Sequence, residues 1–67
     1  MNKLKVIQLL PELNIGGVER GTRDFSEVLI NQGHESIVIS NGGIFEKDII
    51  DHGGKHIKIP IHKKRFF

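Results

Sequence analysis

Apolar residues change their spacing along this chain, and each change marks an element. Residues 4–10 form an apolar run interrupted by Lys5 and Gln8 and broken at Pro11, the pattern of a strand buried on both faces. Residues 18–32 then place Val18, Thr22, Phe25, Val28, Leu29 and Gln32 at i, i+3, i+4 intervals. That spacing predicts a helix with this stripe buried and with Glu19, Arg23, Glu27 and Asn31 on the solvent side. Pairs Glu19–Arg23 and Arg20–Asp24 stand four residues apart on it, and Gly33 is the expected left-handed stop. Residues 36–40 are short and β-branched, as a second buried strand is. After Asn41, Gly42 and Gly43, a weaker helix is expected over 44–52, turning Phe45 and Ile49 inward with Ile50 as a third candidate, and ending at Gly53 and Gly54. Residues 55–59 alternate polar and apolar up to Pro60, the mark of an edge strand.

The order is βαβαβ. Right-handed crossovers give a three-stranded parallel sheet in the order 3-2-1 with two helices, an α/β fold and a partial Rossmann-like unit. Strand 1, the most apolar, is then left at an open edge, a position that proteins usually protect. The economical reading is that residues 1–67 are the first part of a larger domain, in which a fourth strand flanks strand 1.

The chain has 67 residues and a formal charge of +2, with no cysteine. A chain of this length makes one small domain of marginal stability. The missing cysteines exclude a disulfide framework and a thiolate metal site. No signal peptide or membrane span is expected, because the first apolar run is short and contains Gln8.

Candidate chemistry lies where strand 1 gives way to helix 1. Gly16 or Gly17 is the expected N-cap, with Glu19 in the first turn, where the helix dipole favours a carboxylate. Glycines let the backbone come close to a bound group, and the free N–H groups of a helix start attract anions, phosphate above all. Gly16, Gly17, Glu19 and Arg20 are therefore the substrate- or phosphate-binding candidates. For Glu19 and Arg20 helix-start electrostatics and surface pairing compete with that role. A dinucleotide site is disfavoured, since strand 2 ends in Ser40, Asn41, Gly42 and Gly43 with no carboxylate for a ribose. His34, His52, His56 and His62 lack the spacing of zinc ligands, so neither metal nor cofactor is expected. No nucleic-acid module is recognisable.

The run Pro11, Glu12, Leu13, Asn14, Ile15, Gly16, Gly17, Val18, Glu19, Arg20 resembles the opening of family 4 glycosyltransferases, GT-B enzymes that move a sugar from a nucleotide-sugar donor. The likeness continues through Asn31, Gln32, Gly33, His34, Glu35 and through Ser40, Asn41, Gly42, Gly43, and ends near Pro60. It implies an incomplete half of a GT-B N-terminal, acceptor-side domain, with the Gly16-Gly17 loop approaching the donor diphosphate across an interdomain cleft. It also implies a nucleotide-sugar donor and a glycan or lipid-linked acceptor, as in envelope glycan or lipopolysaccharide synthesis. The family's donor-binding C-terminal domain has no counterpart in these residues, so the expectation is a truncated glycosyltransferase-like protein, inactive alone, with no catalytic residue of its own and a separately encoded C-terminal part as a partner. The expected place is the cytoplasm, peripheral to the inner membrane face, where Lys63, Lys64, Arg65, Phe66 and Phe67 suit weak contact with anionic lipid. The alternative is a noncatalytic small α/β module that binds an anion, or a partner chain through strand 1.

Overall fold

The computed structural model describes residues 2–11 and 16–60. Its elements follow in the order β1 (Lys5–Leu9), α1 (Gly17–Asn31), β2 (Glu35–Ser40), α2 (Glu46–Asp51) and β3 (Lys55–Lys58). The sheet is parallel throughout in the order β1-β2-β3, the sequential order expected from the pattern. Register pairs Ile7 with Ile37 and Leu9 with Ile39 on one side of β2, and Ile39 with Ile57 on the other.

Both helices lie on the same face of the sheet and touch each other. Arg23 on α1 stacks 4.6 Å from the Phe45 ring centre and reaches Asp48 at 3.7 Å, while Glu27 lies 3.5 Å from His52. Each helix ends in the same way. His34 N–H donates to Leu29 O at 2.9 Å and Gly33 N–H to Ile30 O at 3.0 Å, a Schellman closure that needs the positive φ of 84° at Gly33. Gly53 and Gly54 repeat it on Ile50 and Ile49.

The core is small and lies under α2: Leu10, Val38, Phe45 and Ile49. Leu29 joins the buried set from α1. Gly54 is packed so tightly that a Cβ there would lie 2.9 Å from Ile49 Cγ2 and 3.0 Å from Ser26 Oγ.

Three expectations are corrected. Only Thr22 and Leu29 of the proposed α1 stripe are buried; Val18, Phe25 and Val28 are 72%, 47% and 52% exposed, and Gln32 is exposed too. Ser26 is buried in their place, because its Oγ lies 2.7 Å from that of Ser36 on β2 and both hydroxyls are thereby satisfied. The helix is rotated about its axis relative to the expectation, so that Thr22, Ser26 and Leu29 face the sheet, and Arg23 and Glu27 face α2 rather than solvent. Arg23 accordingly bonds Asp24 at 3.0 Å and reaches α2, instead of forming the expected pair with Glu19. The second correction is that β1 is not buried on both faces: Ile7 and Leu9 are 56% and 55% exposed. The third is that Ile50, a candidate for the inward face of α2, is exposed as well.

Candidate functional site

Parallel strands all point the same way, so their carboxyl ends and the turns that follow gather along one edge of the sheet. Asn41 N–H donates to Pro11 O at 2.7 Å, tying the exit of β2 to the exit of β1. Two glycine turns thus sit side by side: Gly16-Gly17 opening α1, and Gly42-Gly43 leading to α2.

At the first turn Gly16 is the N-cap of α1 and Gly17 its first residue. Arg20 N–H donates to Gly16 O at 2.9 Å and closes the first helical turn. The N–H groups of Gly17, Val18 and Glu19 precede any carbonyl that the helix could offer them, so none has a partner within the helix. The Gly16 torsion is extended, and the nearest group to a Cβ there is the mobile end of the Glu19 side chain, Oε1 at 2.5 Å, which a larger residue would displace. Glu19 folds its carboxylate back over the N-cap, in the position of the acid in a capping box. Around Gly17, among the described residues, nothing lies within 4 Å of where a Cβ would be. Arg20 is exposed on the next position. The candidates Gly16, Gly17, Glu19 and Arg20 therefore share one helix start, with Glu19 already lying across it. Glu12, Leu13, Asn14 and Ile15 of the motif fall outside the described residues, as do Lys63, Lys64, Arg65, Phe66 and Phe67.

The second turn holds a group that the sequence did not announce. Ser40 Oγ accepts the Gly42 N–H at 3.0 Å and lies 2.7 Å from His56 Nε2 on β3, and His56 Nδ1 faces Glu46 Oε1 at 3.5 Å. The carboxylate favours a proton on Nδ1, which leaves Nε2 to accept from the Ser40 hydroxyl. Serine, histidine and acid in this order have the chemical form of an activated nucleophile. Burial decides against that role. Ser40 is 0% exposed and the His56 side chain 1%, so no electrophile reaches Oγ. The network instead locks β3 and α2 onto the Gly42 turn, where φ is 98° and a Cβ would meet Glu46 and Lys58 at 2.9 and 3.1 Å. The signal available in the sequence was a histidine at a position of β3 whose side chain falls on the helix-covered face, between Lys55 and Ile57; its partners stand on other elements.

No family model, no curated protein and no solved structure matches the chain. The fold defines an α/β unit of partial Rossmann type. Among the described residues no helix is long and apolar enough to cross a membrane.

Proposed function

We propose that the chain is the glycine-turn half of a nucleotide-sugar-dependent glycosyltransferase of the GT-B type, working only together with polypeptide that supplies a donor-binding domain. The observation that carries this reading is the start of α1 at the carboxyl edge of a parallel sheet, where the helix leaves its first N–H groups without a carbonyl and, among the described residues, nothing lies within 4 Å of a Cβ at Gly17. Gly16, Gly17 and Arg20 approach the donor diphosphate in this reading, and Glu19 is displaced or re-paired when the anion arrives. The acceptor is an envelope glycan or a lipid-linked saccharide, and the protein works in the cytoplasm at the inner membrane face. The resemblance of residues 11–20 supports the same assignment.

Sugar transfer needs donor and acceptor aligned and the leaving diphosphate stabilised, which one helix start and one arginine do not provide. The isolated chain is therefore inactive. Fusion to the remainder of a family 4 enzyme is expected to give acceptor-dependent donor consumption, and Gly17→Val in that fusion to reduce it by crowding the phosphate approach. Turnover by the isolated chain, or an unimpaired Gly17→Val fusion, contradicts the reading. A second reading, a noncatalytic module that binds a partner chain, is favoured by the edge of β1, which no described strand pairs.

A further inference from the structure

We propose that His52 is a proton-operated clasp between the two helices, holding the end of α2 against α1 while its ring is charged and releasing it when the ring is neutral. The clasp is a device of the fold and stands independently of the transferase reading.

What each ring nitrogen faces decides which form of the ring fits. His52 Nδ1 lies 2.8 Å from the backbone oxygen of Asp48, and Nε2 lies 3.5 Å from Glu27 Oε1 on α1. A carbonyl oxygen only accepts, so Nδ1 must carry a hydrogen and donate it. A neutral imidazole has a single N–H. With that hydrogen on Nδ1, Nε2 turns a bare lone pair toward the Glu27 carboxylate, and the two repel. Placed on Nε2, the hydrogen would suit Glu27 but set a bare Nδ1 against the Asp48 carbonyl. Only the doubly protonated ring satisfies both acceptors.

The other described histidines are built for neutral rings. His34 Nδ1 accepts the Leu4 N–H at 3.0 Å and must therefore be bare. His56 is complete with one hydrogen, which Nδ1 turns toward Glu46 while Nε2 accepts from Ser40.

The charges around His52 act in the same sense. From α1, Glu27 faces the ring directly, while Arg23 reaches Asp48 at 3.7 Å and Asp24 at 3.0 Å. On α2 the neighbouring charges are Asp48 and Asp51, the latter bonded to Lys47, and the last turn has no basic residue. Lys55, at the start of β3, lies with Ile57 on the other face of the sheet. The negative end of the helix dipole adds to the attraction for a cation at the C-cap, where His52 stands. α2 has six residues, too few to persist as a helix by itself, so such contacts set how firmly it and the Gly42 turn before it are held. Histidine changes charge between about pH 5 and pH 8. Stability that comes from the charged ring is present at the acid end of that range and is lost as pH rises through it.

His34 has the opposite requirement, so a local readout serves better than the midpoint of the whole chain. Gly53 and Gly54 N–H groups donate to Ile50 O and Ile49 O and close the end of α2. Their amide exchange, compared between the wild-type full chain and Glu27→Gln at about pH 5.5 and about pH 8, isolates the clasp. Both side chains of the pair are about half-exposed, and at the lower pH the substitution is expected to speed exchange of the two amides about threefold, as loss of an exposed ion pair does. At the higher pH it is expected to change nothing. In case Glu27→Gln does not fold, nuclear Overhauser contacts between the His52 ring and the Glu27 side chain of the wild type read the same clasp, strong at the lower pH and weakened at the higher. An effect of Glu27→Gln as large at the higher pH as at the lower overturns the proposal, and so does no effect at either. Overhauser contacts of equal strength at both pH values, or absent at the lower, overturn it as well.

Discussion

On the side of the sheet that the helices cover, alternate strand residues are mixed in character: Val6, Gln8 and Leu10 from β1, Ser36, Val38 and Ser40 from β2, His56 from β3. On the opposite side the same strands present Ile7, Leu9, Ile37, Ile39, Ile57 and Ile59, with charge only at the amino-terminal end, where Lys5 pairs in register with Glu35 and Ile37 with Lys55. The more apolar face is the open one. The covered face tolerates serines, a glutamine and a histidine because each has a partner: Ser26 for Ser36, Thr22 O for Gln8, Ser40 for His56. A face built almost wholly of aliphatic residues gains little in water, and contiguous apolar patches of this kind mark places where protein packs on protein. A right-handed crossover from β3 to a strand beside β1 would carry a helix over that face, as the proposed function requires.

Substitutions on the two faces should therefore differ in cost. The largest effect is expected on the covered face, where Ile49→Ala removes a side chain only 1% exposed and costs about 2–5 kcal/mol, enough to leave so small a domain largely unfolded. Urea titration would measure it. Next comes the polar network, since His56→Leu strands the Ser40 hydroxyl and the Gly42 turn beside an apolar group. A loss of about 1–3 kcal/mol is expected, seen as a lower thermal midpoint, with Gly42 and Ser40 amides exchanging faster than those of β1.

The open face should respond weakly. Ile57 is 49% exposed, and Ile57→Thr keeps a β-branched side chain in the strand, so its stability change should stay within about 0.5 kcal/mol. A cost like that of Ile49→Ala would mean that the face is covered in solution. The smallest effect belongs to Lys47, whose bond to Asp51 one turn on, together with that carboxylate's charge, holds its ammonium above the ordinary lysine value. A raised folded-state pKa contributes fully below the ordinary value and is lost only as pH rises past it. The pair is solvent-exposed and lysine precedes aspartate, the less favourable order, so Lys47→Ala should leave the urea midpoint unmoved between pH 5 and pH 8.

The elements were legible because they rest on local chemistry: glycine stops at Gly33 and Gly53, helical spacing in α1, β-branched runs in β2. The rotation of α1 was not. Its apolar stripe is wider than the sheet can cover, and what turns Ser26 inward is Ser36, ten residues away on another element. The Ser40–His56–Glu46 network escaped notice for the same reason, since three elements contribute to it. At the candidate site the pattern located Gly16, Gly17, Glu19 and Arg20 on one helix start. That the Glu19 carboxylate lies back over Gly16 is a side-chain matter that no spacing reveals.

Isoleucine reports both faces at once, which makes δ1-methyl labelling with a soluble paramagnetic probe the most direct test of the contrast between them. Ile49 should keep its signal while Ile7, Ile57 and Ile59 are strongly attenuated in the dilute chain. Equal protection of Ile49 and of those open-face methyls would contradict the account.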